Sequence, residues 1–206
     1  MKIIDFCDSP DNAVTYLVIK GNDALIIDPA NDVRIMEKYL TNINVKGILI
    51  THGHYDHFRS LNELRIIHPV KVYLNSQALK KLADPSLSCG TLFHDELIIN
   101  LNKKEYELVN DNDEIIIGEF KIKVLYLPGH TNCSVGYLID NELFIGDVLF
   151  KNSIGRYDLP TGSFNATLST LRRIKNLDDK IIIHPGHDEA FTLKEAKAIN
   201  EFLKLE

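Results

Sequence analysis

Cysteine is scarce in this chain of 206 residues: only Cys7, Cys89 and Cys133, an odd number with no C-x-x-C pair. That spacing excludes a disulfide framework and an all-cysteine zinc site, makes a reducing cytoplasm the expected setting, and leaves the three thiols as ordinary interior residues. An excess of positive charge is also missing. Lys and Arg number 23 against 29 acidic residues, a formal net charge of -6, with a pI of about 5.7. Without clustered cations, neither a nucleic-acid surface nor an anionic-membrane surface is expected. No apolar run approaches the ~20 residues of a membrane-spanning helix. The opening Met1-Lys2-Ile3-Ile4-Asp5-Phe6 lacks the apolar core and cleavage site of a signal peptide. Linkers and low-complexity runs are absent too, so residues 1–206 are expected to form one domain, as a monomer or homodimer.

What remains is 45% hydrophobic and 25% charged, the balance of a globular protein with a sizeable core. Apolar runs at 3–6, 13–19, 24–27, 47–50, 70–74, 106–109, 115–117, 120–126, 134–139, 143–145 and 181–183 predict strands. Ser9-Pro10-Asp11-Asn12 and Gly21-Asn22-Asp23 predict turns, the second closing a hairpin. Asn31 or Asp32 predicts a helix cap, with Val33, Met36, Leu40 and Ile43 on one buried stripe. Further helices are expected with Phe58, Leu61 and Leu64 inward, from Gln77 to Leu82, after Ser163 (Phe164, Leu168, Leu171 and Ile174 inward) and after Thr192. Thr192 and Glu195 form a capping box, with Ala196, Ile199 and Leu203 inward. Residues 75–104 have no clear period and read as a segment over a site, with Phe93 and His94 towards substrate.

The densest chemistry lies in Thr51-His52-Gly53-His54-Tyr55-Asp56-His57, directly after the run Gly47–Ile50. Three of the chain's eight His and one Asp fall within six positions, too many for chance. Imidazole and carboxylate together suit Zn, Fe or Mn better than Mg or Ca. In an extended loop alternate side chains share a side, so His52, His54 and Asp56 converge while His57 points elsewhere. Three other apolar strands also end in a potential ligand: 120–127 in Pro128-Gly129-His130-Thr131, 143–145 in Gly146-Asp147, and 181–183 in His184-Pro185-Gly186-His187. If these ends share one edge, their side chains meet at one point. His184 reads as a strand-end or supporting group rather than a ligand, and His68 as structural.

This ordered set resembles the metallo-β-lactamase superfamily over essentially the whole chain. The resemblance implies an α+β fold, an αββα four-layer sandwich in which two mixed β-sheets are flanked by helices. It also implies two divalent metal ions, Zn first with Fe or Mn as alternatives. By position, His52, His54 and His130 would hold one metal, Asp56, His57 and His187 the other, and Asp147 would bridge them. A Cys stands in place of Asp147 in the commonest subclass of β-lactamases, so the Asp argues against antibiotic hydrolysis. Gly146-Asp147-Val148-Leu149-Phe150, then Gly155-Arg156, resembles the glyoxalase II group (hydroxyacylglutathione hydrolases), especially its short bacterial members. The full-length enzymes have a further C-terminal helical domain that contacts glutathione, and only Thr192 to Glu206 follow the last ligand here. A small-molecule thioester such as S-lactoylglutathione is the implied substrate, cleaved by a hydroxide between the metals. Asp56, His54 and Asp147 are the candidate catalytic residues, and Arg156, Tyr157 and Phe93 the candidate substrate contacts. The rival readings are a mononuclear-iron persulfide dioxygenase, and a lactonase or phosphodiesterase on the same ligands.

Overall fold

The structure is a computed structural model that describes residues 1–9 and 12–205; the expected turn at Ser9–Asn12 therefore lies partly outside the described residues, at Pro10 and Asp11. Two six-stranded mixed sheets face each other. The first contains β1 (Lys2–Phe6), β2 (Thr15–Lys20), β3 (Asp23–Ile27), β4 (Asn44–Leu49), β5 (Val72–Leu74) and β6 (Tyr106–Leu108), in that spatial order. Its first two pairings are antiparallel and its last three parallel. The second contains β7 (Glu114–Ile117), β8 (Phe120–Tyr126), β9 (Val135–Ile139), β10 (Glu142–Gly146), β11 (Ile182–Pro185) and β12 (Phe191–Thr192). Here only the β10–β11 pair is parallel.

The sandwich follows from how the strands alternate. Leu25, Ile27 and Leu49 point into the layer between the sheets, where they meet Phe120, Ile122, Val124 and Tyr137. Their neighbours Ile26, Ile48 and Ile50 point the other way, onto α1 (Val33–Glu37), α2 (Leu61–Ile67) and α3 (Ser76–Leu82). A sheet buried on both faces needs near-continuous apolar strands, and β3 and β4 are such strands. In β8 the outward Lys121 and Lys123 are exposed, and only its end, at Leu125 and Leu127, turns into the outer core with α4 (Phe164–Lys175) and α5 (Leu193–Ile199). The αββα reading of the sequence is thus the observed architecture.

Four local expectations are corrected. α1 ends at Glu37; Leu40 and Ile43 still pack inward, but through turn bonds to Glu37 O and Leu40 O. Their spacing reported burial rather than helix. Phe164 is exposed because it opens α4 and packs its ring on Tyr157, 4.8 Å between centroids; Thr167, Thr170, Leu171 and Ile174 are the residues α4 buries. Ile199 is exposed as the last residue of α5, and Leu203 reaches the core from a following 3₁₀ turn, Glu201–Lys204. Cys7 is exposed, whereas Cys89 and Cys133 are buried. The two-residue β12 carried no sequence signal.

Candidate metal centre

Each of the four ligand-bearing strands delivers its residue from its C-terminal end, and the two sheets meet there. Backbone bonds lace the ends together: Val135 N donates to Thr51 O at 2.9 Å, Val14 N to Gly186 O at 2.7 Å, and Gly186 N to Gly146 O at 2.9 Å. Two buried tyrosines cross between the sheets at the same level. Tyr16 donates to Pro185 O at 2.8 Å, and Tyr137 reaches both Ile50 O and Tyr73 O at 3.0 Å. Gly186 is required by close approach, since a Cβ there would stand 2.1 Å from Asp147 Oδ1. Gly146 is required twice, by its φ of +53° and by Thr51, whose Oγ would lie 2.3 Å from an added Cβ.

Seven donors converge. His52, His54 and His130 form one group, His52, His57 and Asp147 a second, and Asp56, His57 and His187 a third; within each, the donor atoms lie within 4.8 Å of one another. A four-coordinate metal with bonds of about 2.1 Å spaces its ligands by roughly 3.4 Å, which these groups can match. The expectation that His52, His54 and Asp56 converge on one side while His57 turns away is corrected. The loop is extended only to His54, and a 3₁₀ turn at Tyr55–His57 swings Asp56 towards His187 and brings His57 under His52, ring centroids 4.1 Å apart. Asp147 lies between the groups, with His57 Nε2 at 3.3 Å and His130 and His187 Nε2 each at 3.7 Å.

The side of each ring facing away from the site is fixed. His57 Nδ1 donates to Asp28 Oδ2 at 2.9 Å, and His130 Nδ1 donates to Arg156 O at 2.7 Å. Thr51 Oγ gives its hydrogen to Asp28 Oδ2 at 2.6 Å and therefore accepts from His52 Nδ1 at 3.2 Å. These bonds leave the Nε2 atoms of all three rings aimed at the centre, the usual arrangement of metal-ligating imidazoles and their supports. His52, His54 and His57 Nε2 and Asp147 Oδ1 are buried with no hydrogen-bond partner. Buried polar atoms are rarely left so, and a cation is the partner this donor set fits.

The electrostatics divide the site. Burial, reinforced by neighbouring rings, pushes His52 and His54 well below the ordinary imidazole pKa, and burial lowers His130 too. For His57 burial acts the same way but is outweighed by Asp147, Asp56 and Asp28, so its pKa is raised well above the ordinary value. His187 is raised by its bond to Asp56. Asp56 and Asp147 are lowered, the pull of His57 overcoming their burial.

Above the donors opens a cleft of about 560 Å³, whose lining includes His54, Asp56, His130, Asp147 and His187 together with Phe93 and Arg156. His52 and His57 lie beneath its floor, 1% and 0% exposed. Tyr157 is not on the lining; it faces an adjoining groove with Phe202. His94 is exposed and also off the lining, because Cys89 and His94 adopt left-handed backbone at either end of the 3₁₀ turn Gly90–Phe93. His184 and His68 are held by Glu142 and Glu37, each at 2.6 Å, as supporting groups. Sequence reasoning missed Asp28. A signal was present, for β3 is a fifth apolar strand that runs into an acidic residue.

The family model of the metallo-beta-lactamase superfamily matches residues 8–187. A probable metallo-hydrolase, YqgX of Bacillus subtilis, is 31% identical, the match covering 94% of this chain and 93% of that one. A hydroxyacylglutathione hydrolase of Actinobacillus pleuropneumoniae is 30% identical over 92% of this chain and 71% of its own length. Among solved structures, the BLEG-1 B3 metallo-beta-lactamase superimposes with a TM-score of 0.90 at 29% identity, over 98% and 99% of the two chains. TTHA1623 in a di-iron-bound form gives 0.84 at 26%, over 98% and 100%.

Proposed function

The chain belongs to the metallo-beta-lactamase superfamily, and from that premise we propose that it is a dinuclear metal-dependent hydrolase of small-molecule thioesters, glyoxalase II-like in its chemistry. The observation that carries the hydrolase reading is the set of seven converging donors, His52, His54, Asp56, His57, His130, Asp147 and His187, drawn from both sheets. His52, His54 and His130 would hold one divalent ion and Asp56, His57 and His187 the other, with Asp147 within reach of both. Zinc is the first choice; iron is supported by the di-iron form of TTHA1623. Two such ions supply Lewis acidity and a water of lowered pKa.

The protein's own groups do the rest. The anchored far sides of His52, His57 and His130 keep lone pairs on the centre through the reaction. Asp56 has one oxygen for the metal and a second to orient the attacking water. Every carboxylate and imidazole on the cleft lining belongs to the donor set, with none left over as a general acid, which suits a thiolate that departs unprotonated. Phe93 offers an apolar wall, and the exposed Arg156, paired with Asp158 at 2.9 Å, is placed to exchange that partner for a substrate carboxylate. The thioester itself is supported by the hydroxyacylglutathione hydrolase relative.

Elemental analysis followed by assays on one sample tests this. Two metals per chain with turnover of S-lactoylglutathione is the expected result. One iron with oxygen uptake on glutathione persulfide would establish the dioxygenase instead. Turnover confined to a β-lactam would assign instead the activity that BLEG-1 is named for.

A further inference from the structure

Arg59 stands two residues beyond His57 and lines the same cleft as Arg156. The two cations reach it from different sides of the sandwich. Arg59 extends the loop carrying Asp56 and His57, whereas Arg156 belongs to the segment whose carbonyl holds His130. Arg59 is fixed at three points: Nη1 donates to Asn12 Oδ1 at 2.6 Å, Nη2 lies 3.2 Å from Asp95 Oδ2, and the guanidinium sits 5.5 Å over the Tyr55 ring. Tyr55 stacks in turn on Phe93, 5.5 Å between centroids. The side chain remains 39% exposed. A held, partly open guanidinium on an aromatic wall beside a reaction centre is suited to receive a carboxylate, because its planar fork matches that group. In a chain of net charge -6, a cation kept at this cleft also selects against neutral and cationic arms.

We propose that Arg59 is a second anion anchor, and that the substrate carries an acidic group on each side of its scissile bond, one met by Arg156 and one by Arg59. The scissile thioester rests on the function proposed above; the two acidic arms rest on the cleft alone. Arg59 binds the arm nearer Asp56, His57 and His187 and thereby sets which acyl groups are accepted. Asp95 holds the guanidinium in the absence of that arm.

Binding of glutarate against butyrate to the metal-loaded protein reads this without turnover. Both offer one carboxylate to the metals, so the ratio of their affinities isolates the second. In Arg156→Gln, which removes the other guanidinium, the ratio is expected at roughly five- to tenfold for one charge-assisted pair, falling to about one when Arg59→Gln is added. Asp95→Asn separates anchor from clamp: freeing the guanidinium raises the ratio if Arg59 receives a carboxylate. A ratio near one in Arg156→Gln, or a fall in Asp95→Asn, would overturn the proposal. If the ratio holds while no thioester is turned over, the anchor stands and the thioester reading fails.

Discussion

The two halves of the centre solve one problem in opposite ways. His52, His54 and His130 form an uncharged half, in which deep burial makes protonation costly. Asp56, His57 and His187 form a charged half, in which carboxylates hold protons on the imidazoles and His187 is 32% exposed. Among the described residues, the only internal tie of the first half is between two neutral rings, His54 Nδ1 donating to His130 Nε2 at 2.9 Å. In the second, carboxylates already face the imidazoles, His187 Nε2 3.3 Å from Asp56 and His57 Nε2 3.3 Å from Asp147, so a cation enters in place of protons. Burial alone therefore does not decide whether a histidine is prepared to ligate; the nearest carboxylate does. Asp147 touches both halves.

Breaking both halves at once should have the largest effect. Asp147→Ala is expected to lower kcat/KM at least ~10³-fold, about 4 kcal/mol of transition-state stabilisation, and to leave the protein deficient in both metals by elemental analysis. His52→Ala is expected to abolish activity as well. His187→Ala should instead retain about one metal per chain, and equal loss of both metals in that variant would erase the distinction between the halves.

Asp28→Ala removes the acceptor shared by His57 and Thr51. Loss of such a support costs about 10- to 100-fold in metal affinity. Competition with a chromogenic chelator should register that loss, and the charged half should empty first because His57 loses its anchor directly.

The halves should also part with pH. Metal binding to the charged half expels protons held by the raised His57 and His187, so its affinity should rise by up to about tenfold per pH unit per proton released. The uncharged half is already neutral and should stay flat down to about pH 6.5. Metal content titrated from pH 7.5 to 5.5 should therefore step from two to one. In the metal-free fold His57 and His187 contribute stability below the ordinary pKa, lost as pH rises through their raised values. His52, His54 and His130 withdraw stability as pH falls below the ordinary value, because the unfolded chain protonates first. Parallel melting curves at three pH values check both.

The smallest expected effect lies at the mouth. Arg156→Ala should raise KM for an anionic thioester about tenfold with kcat nearly unchanged, the pattern of an anchor that treats ground and transition states alike. A pure loss of kcat would count against that role.

The core of this site was legible because its residues obey one rule: an apolar strand runs into a ligand. The rule needs no knowledge of side-chain direction, and so it placed His52, His130, Asp147 and His187. It failed where local backbone intervened. The 3₁₀ turn at Tyr55–His57 reversed which neighbours Asp56 and His57 meet, and the left-handed residues Cys89 and His94 turned His94 off the cleft. Tyr157 lies on an adjoining groove, its ring packed on that of Phe164, which was expected in the core. Asp28 followed the rule and was passed over, since Asp-Pro is equally a turn. Arg59 was invisible because its partners, Asn12 and Asp95, are remote in sequence.

The seam between the sheets, crossed by the hydroxyls of Tyr16 and Tyr137, has a consequence for how folding can be followed. Neither sheet alone contains a complete centre, and donors as distant as His52 and His187 must be docked before one exists. Contacts of such high sequence separation form late, after the entropy of closing long loops has been overcome. With Co(II) in place of the native ion, the visible bands of the bound metal become an optical clock for sheet docking, silent until the two layers have found each other.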